Sequence, residues 1–494
     1  MKSDLPADLR DFLEKSVDEK LENFQVVIHD GNKKGEGFLG DFFFISLTNK
    51  KTKDVFNLAV KQVLACGGEA SLNIMSKYFH NELCFYESLW PEMRRFQEKH
   101  SNSEHFLKVP RLYALDATKA AEKISLENLR FQGFSNHPKR DFFKKQHLEY
   151  VLRTYAQFHA LSMAFRKLEP AKFKATTEPL ADIHEAVSTL QFFRRAINQS
   201  CQSVLHTLDE NTEKDLVDKF KVYAERGTDI LFEISRYHGD HAALLHGDSW
   251  CNNLMFKYDE SNNVEDMRII DFQLIRTGTV VYDISYCIYS DGCKKTLDDL
   301  EHYLQVYHHS LSESLRGYDL DPEEVYPYDI FKEEWKRYSK LGLILGILCN
   351  SSKYFETDSL KTFSDMIDEG EEEEEITTNV YMHKSEKFLD IGGTESTEVL
   401  PVSWCGFPLH GAVERVRYPK SRTALARPYS GRETKRYSGR NRAGRNRVDP
   451  NNAGSINASS NNAGSIKTPT VTALAITTLL NVTALAKITM ITKT

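Results

Sequence analysis

The stretch His246-Gly247-Asp248-Ser249-Trp250-Cys251-Asn252-Asn253 sets an Asn five residues after an Asp, directly before the strand-like run Leu254-Met255-Phe256-Lys257-Tyr258. Asp259-Glu260-Ser261-Asn262-Asn263 then has turn chemistry, and Met267-Arg268-Ile269-Ile270 leads into Asp271-Phe272-Gln273. Antiparallel pairing returns a chain to where it left, so this spacing predicts Asn253 and Asp271 side by side at the open end of a hairpin. Two hard oxygen donors so placed suit Mg²⁺, and Asp248 stays available to orient an attacking hydroxyl and accept its proton. Asp, Asn and a second Asp in this order are the parts of a phosphoryl-transfer centre. Each triplet alone is as well explained by a polar turn; the series of spacings carries the reading. His246 is expected to bond backbone rather than act as acid or base. Asp283, inside the apolar run Val280-Val281-Tyr282-Asp283-Ile284, is expected to brace the loop, because a buried carboxylate needs a partner.

Further groups precede this centre. Gly35, Gly37 and Gly40 form a GxGxxG pattern between two strand-like segments. A dinucleotide fold would follow its glycines with a helix, so the context suits a flap whose backbone amides cover nucleotide phosphates; a glycine-rich turn without a ligand is the competing reading. Lys61 closes the strand Leu58-Ala59-Val60, where a kinase requires a cation for the α- and β-phosphates, and Glu82 on the next helix is the natural anion to hold it. Glu127 and Leu129, in the connecting segment Ile124-Ser125-Leu126-Glu127-Asn128-Leu129, could offer backbone groups to an adenine edge, or belong to a plain buried strand.

The elements that must position these groups are legible from periodicity. Residues 6–23 read as an amphipathic helix, and 24–28, 41–47, 55–61, 112–115 and 123–126 as strands. Residues 72–97 read as one helix ended by Pro91 or shortly after, with further helices over 142–168, 179–207, 211–237, 296–316 and 329–349. Strands first and helices afterwards make an α+β, two-lobed arrangement. We expect a small β-rich nucleotide-binding lobe over 1–128, a larger, mainly helical catalytic and substrate lobe over 129–400, and a disordered tail over 401–494.

Composition supports that division. The tail repeats NNAGSI, YSGR and TALA and holds 15 Lys and Arg against 3 Asp and Glu, whereas the first 400 residues hold 49 against 68. An acidic body argues against nucleic acid as partner, since a duplex binder needs a basic face. The tail repeats are too short for a solenoid and too poor in apolar surface for a core. Eight cysteines without CxxC spacing and a start lacking an apolar signal region point to the reducing cytoplasm. The longest apolar run of the body, Leu341 to Cys349, falls well short of the roughly 20 residues that span a bilayer, so no stable membrane insertion is expected. Oligomeric state has no signal in the sequence.

HGDSWCNNLMF, IIDFQ, LAVK, ISLENLRFQGF and AQFHALSMAF together resemble the insect ecdysteroid 22-kinase-like family. That family belongs to the choline-kinase-like and aminoglycoside-phosphotransferase-like branch of the protein-kinase-like fold. The resemblance covers roughly residues 1–400. It implies ATP-dependent phosphorylation of a small-molecule hydroxyl, with Asp248 as base, Asn253 and Asp271 on Mg²⁺, Lys61 on phosphate and Glu82 pairing with Lys61. It also implies a hydroxylated substrate, either an ecdysteroid or a plant or xenobiotic alcohol, and so hormone inactivation or detoxication. The chain departs from the family at Asn128, where Asp is usual, and by lacking a proline in GTVVYDIS. Three alternatives stand beside this reading. One is a catalytically silent ATP- or sterol-binding pseudokinase, although no lysine, base or metal acid is lost. The second is a metal-dependent hydrolase using His246, Asp248 and Asp271, although such sites recruit several nitrogen ligands. The third is a protein kinase, although no APE-terminated segment follows DFQ.

Overall fold

Alternating hydrophobic residues in the first part of the chain pair into one antiparallel sheet. The computed structural model describes residues 5–29, 40–63, 69–188 and 190–353; Gly35, Gly37 and the segment 401–494 lie outside the described residues. Strands β1 (Phe24–His29), β2 (Gly40–Asn49), β3 (Val55–Val63), β4 (Leu112–Asp116) and β5 (Lys123–Glu127) stand in the order β1-β2-β3-β5-β4. The twofold period of β3 turns Leu58 and Val60 to one face. There they join Ile45, Leu47 and the buried Leu9, Phe12 and Leu13 of helix α1 (Ala7–Val17) in a small core of their own. Ala59 and Lys61 therefore point to the opposite face, with Lys61 paired to Phe42 on one side and Ile124 on the other.

The helix expected over 72–97 is two helices, α2 (Glu69–Cys84) and α3 (Trp90–His100), joined by a π-helical turn over Phe85–Leu89. Pro91 does not end it. It comes just after the π-helical turn, and the backbone stays helical through Leu89 and Trp90. Larger and mainly helical, the second part contains α4 (Lys145–Leu168), α5 (Pro170–Thr177), α6 (Ile183–Ser188), α7 (Gln191–Thr207), α8 (Lys214–Ile234), α9 (Val281–Asp291), α10 (Lys294–Asp298), α11 (Leu300–Arg316), α12 (Pro322–Val325) and α13 (Tyr328–Lys353). The patterns expected over 179–207 and 296–316 are each broken into two helices. The α4 stripe Leu148, Val151, Leu152, Tyr155 and Phe158 is fully buried and anchors the main core. Among the described residues no helix is long and apolar enough to cross a membrane.

Between the helices lie two small sheets. β6 (Ser135–Asn136), β8 (Leu254–Tyr258) and β9 (Val264–Ile269) form one, and β7 (Ala243–Leu245) pairs with β10 (Arg276–Gly278) in the other. β6, β7 and β10 have no expression in the sequence pattern, because strands of two or three residues show no period.

Candidate active site

The β8–β9 hairpin builds the site from its ends. Asp259 closes the turn by accepting N–H bonds from Ser261 and Asn263, Leu254 pairs with Ile269, and Ile270 N–H donates to the Asn253 carbonyl at 3.0 Å. Asn253 and Asp271 therefore stand at the same end, as the spacing predicts. Asp271 occupies the left-handed region, with φ 73° and ψ 72°, which an L residue adopts only when its surroundings hold it there. Those surroundings include Phe272, whose ring stacks on Phe85 with centroids 3.7 Å apart.

Lys61 comes to this point from the sheet. Its Nζ donates to Glu82 Oε2 at 2.6 Å, to Asp271 Oδ1 at 3.0 Å and to Gln273 Oε1 at 3.4 Å, and all three charged side chains are buried. Burial works against its ammonium, but the Asp271 and Glu82 carboxylates more than offset this and hold Lys61 above its ordinary pKa. The second carboxylate oxygen of Asp271, Oδ2, is buried and has no hydrogen-bond partner among the described residues. A buried carboxylate oxygen left this way can accept a cation or a hydrogen-bond donor.

Asp248 lies fully buried in the preceding loop. Asn253 Nδ2 donates to its Oδ2 at 2.7 Å and to its backbone carbonyl at 3.1 Å. With the amide nitrogen committed to Asp248, the amide oxygen is what Asn253 can offer a cation. Burial, then the neighbouring Asp271 charge, pushes the Asp248 carboxyl well above the usual carboxylate range, against the hydrogen bonds from Asn253 and Tyr286. A metal ion beside Asp271 would remove the second of these causes.

The loop is braced from behind. Asp283 accepts from the backbone N–H of His246 at 2.8 Å and of Gly247 at 2.9 Å, and its Oδ2 lies 3.1 Å from His159 Nε2. Burial alone would raise its pKa, but the His159 hydrogen bond and charge outweigh it and keep Asp283 low. Gly247 has φ 83°, and a Cβ there would overlap the Leu274 carbonyl, so only glycine fits. Both ring nitrogens of His246 are engaged, Nε2 with the Ile270 carbonyl at 3.1 Å and Nδ1 with the Tyr155 hydroxyl at 3.3 Å; burial lowers its pKa. It is placed as a structural histidine, and Asp283 as a brace.

Ala59, Lys61, Glu82, Glu127, Leu129, Met255, Ile270 and Asp271 line one cleft that opens to solvent. Gly40, whose backbone opens β2 opposite Val63, is the described member of the glycine pattern; Gly35 and Gly37 lie outside the described residues. Asn128 performs a local task in this segment, accepting the Arg130 N–H at 3.2 Å to cap the turn that follows. Aspartate could cap in the same way. Asn81, Tyr286, Asp291 and Lys353 escaped the sequence reading. Asn81, beside Glu82, donates to the Gln273 carbonyl at 3.3 Å and accepts from Ala181 N–H at 2.8 Å, tying α2 to the segment after Asp271. A buried polar residue beside a predicted salt-bridge partner is a signal, but it names no contact.

The donor set suits Mg²⁺: one buried carboxylate oxygen without a hydrogen-bond partner among the described residues and one amide oxygen, both hard donors. Comparison with known proteins agrees with this chemistry at the level of family. No curated protein matches the chain. Among solved structures, choline kinase from Cryptosporidium parvum Iowa II is similar at 13% identity, over 77% of this chain and 93% of that one, with a TM-score of 0.35. A family model described as the ecdysteroid kinase-like family matches residues 34–319, more than half of the 494 residues, and the chain belongs to that family.

Proposed function

We propose that this protein is an ATP-dependent kinase that transfers the γ-phosphoryl group to an alcohol hydroxyl of an ecdysteroid or of a plant or xenobiotic compound. The observation that carries the reading is the buried Lys61 ammonium shared by Glu82 and Asp271, beside the hairpin end where Asn253 is bonded to Asp248. Lys61 holds the α- and β-phosphates, and Glu82 keeps its ammonium in place. Glu127 and Leu129 border the adenine, and the glycine pattern Gly35, Gly37 and Gly40 is assigned to the phosphates. Asn253 and Asp271 Oδ2 would hold Mg²⁺, which would supply positive charge to offset that of the phosphates. Asp248 orients the acceptor hydroxyl and takes its proton. On this reading the nucleotide-binding lobe is 1–128, the catalytic and substrate lobe is 129–400, and the protein works in the cytoplasm. The hydrolase alternative is disfavoured because both nitrogens of His246 are already engaged.

The test is incubation of the full chain with magnesium and ATP and a panel of ecdysteroids, plant phenolic and terpenoid alcohols, choline and an aminoglycoside, followed by mass spectrometry. A phosphate-mass adduct on one alcohol class supports the proposal and names the substrate class. An adduct on no member while ATP binds counts against kinase activity toward these alcohols.

A further inference from the structure

Asp248 is held at both of its carboxylate oxygens. Asn253 takes Oδ2, and the hydroxyl of Tyr286 donates to Oδ1 at 3.2 Å. Tyr286 is 1% exposed on α9, and its oxygen lies 2.9 Å from Cys349 Sγ on α13. A phenol has a single proton to give. With that proton on Asp248, the thiol is the donor to the phenol oxygen, and the chain runs from Cys349 through Tyr286 to Asp248.

The two helices can approach closely enough for this contact because α13 presents glycine to α9. A Cβ at Gly342 would overlap the backbone of Ser285 and Tyr286, and one at Gly346 would press on the backbone of Tyr289. The same helix holds the loop on either side of Asp248. Asp283 binds the N–H groups of His246 and Gly247. Asp291 accepts from Cys251 N–H at 2.9 Å and is itself fixed by Lys353 at 2.8 Å in a buried ion pair. Tyr286 is the member of this set that reaches the Asp248 side chain.

We propose that Tyr286, anchored by Cys349, is a positioning residue of this site: its hydroxyl fixes the plane of the Asp248 carboxylate so that a lone pair faces the acceptor alcohol. The inference rests on the kinase reading above and assigns to Tyr286 an effect on turnover rather than on nucleotide binding. A lost hydrogen bond to a charged group corresponds to about a tenfold to hundredfold fall in kcat for Tyr286→Phe, with KM for ATP and for the alcohol within about twofold, as expected when the lost interaction acts on the reacting group. Cys349→Ala should reduce kcat less and Cys349→Ser, which still donates, should restore it. In the Tyr286→Phe/Cys349→Ala double variant, kcat should be no lower than in Tyr286→Phe alone, since the thiol acts only through the phenol.

Wild-type kcat in a folded Tyr286→Phe protein, or additive losses in the double variant, would overturn the assignment. If the wild-type protein transfers no phosphate, the kinase reading fails separately, and the contact is read by crystallography instead. The Asp248 carboxylate of Tyr286→Phe should then be rotated from its wild-type orientation, and an unmoved carboxylate overturns the positioning role.

Discussion

A lysine ammonium shared by two buried carboxylates makes Lys61 the residue whose loss the site should feel most. Lys61→Met leaves Glu82 and Asp271 buried without their cation, a change that costs about 3–5 kcal/mol in comparable pairs. We expect a clearly lower melting temperature together with loss of transfer; unchanged stability would show that the pairing is not formed in solution. Glu82→Gln keeps a hydrogen-bonding group and should fold nearly normally, while kcat falls because Lys61 is no longer drawn to its station. A second effect at this scale concerns His137 and His147, which are 7% and 4% exposed with rings 4.8 Å apart. Burial, then the neighbouring His137 and Lys144, pushes the His147 imidazole down to about 4. Its folded pKa lies below the unfolded value of about 6.5, so its contribution is fully present above that pH and is lost as pH falls toward 4, on the order of 3 kcal/mol in all. Urea midpoints measured between about pH 7 and pH 5 should fall less steeply for His147→Phe than for the wild type. Parallel curves would mean that the pair does not govern acid stability.

At the scale of elements, the site depends on three supports meeting at the hairpin end: β3 carrying Lys61, α2 carrying Glu82, and α9 behind the loop. Asn81 couples the second of these to the segment that follows Asp271 through the Gln273 carbonyl. Asn81→Ala removes both halves of that tie and leaves buried backbone groups unbonded, at about 1–3 kcal/mol. Because it loosens Glu82 relative to Asp271, it should raise KM for ATP as well as lower stability; a stability loss with unchanged KM would mean that α2 is held in register by packing alone. Gly342 is the corresponding point for α9. Gly342→Ala forces α13 away from Ser285 and Tyr286, and overpacking of this kind costs about 1–3 kcal/mol. The melting temperature should fall, and an unchanged value would contradict the close approach of the two helices.

Over the whole molecule, what the sequence makes legible and what it hides follow from the range of the interactions. The five main strands, the long helices and the hairpin are written in local period and turn chemistry, and the hairpin spacing brings Asn253 beside Asp271. Lys61 and Glu82 were found through their order along the chain, and they meet at 2.6 Å. Pro91 reads as a stop, whereas the structure carries the helix past it after a π-helical turn that no local pattern marks. Tyr286 stood inside an apolar run and reads as core, since its contact with Asp248 joins residues 38 apart. The Asn81 tie to Gln273 spans 192 residues. The left-handed backbone of Asp271 is likewise unmarked by any local pattern, although aspartate tolerates that region better than most residues.

The proposed role of Asp248 in transfer rather than in nucleotide binding is tested by Mg²⁺-ATP binding and phosphate transfer to an alcohol acceptor, measured on wild type and Asp248→Asn. The wild type should transfer phosphate, and Asp248→Asn should keep nucleotide affinity within a few-fold of wild type with kcat lowered by about a hundredfold or more. Transfer at the wild-type rate by Asp248→Asn would contradict it.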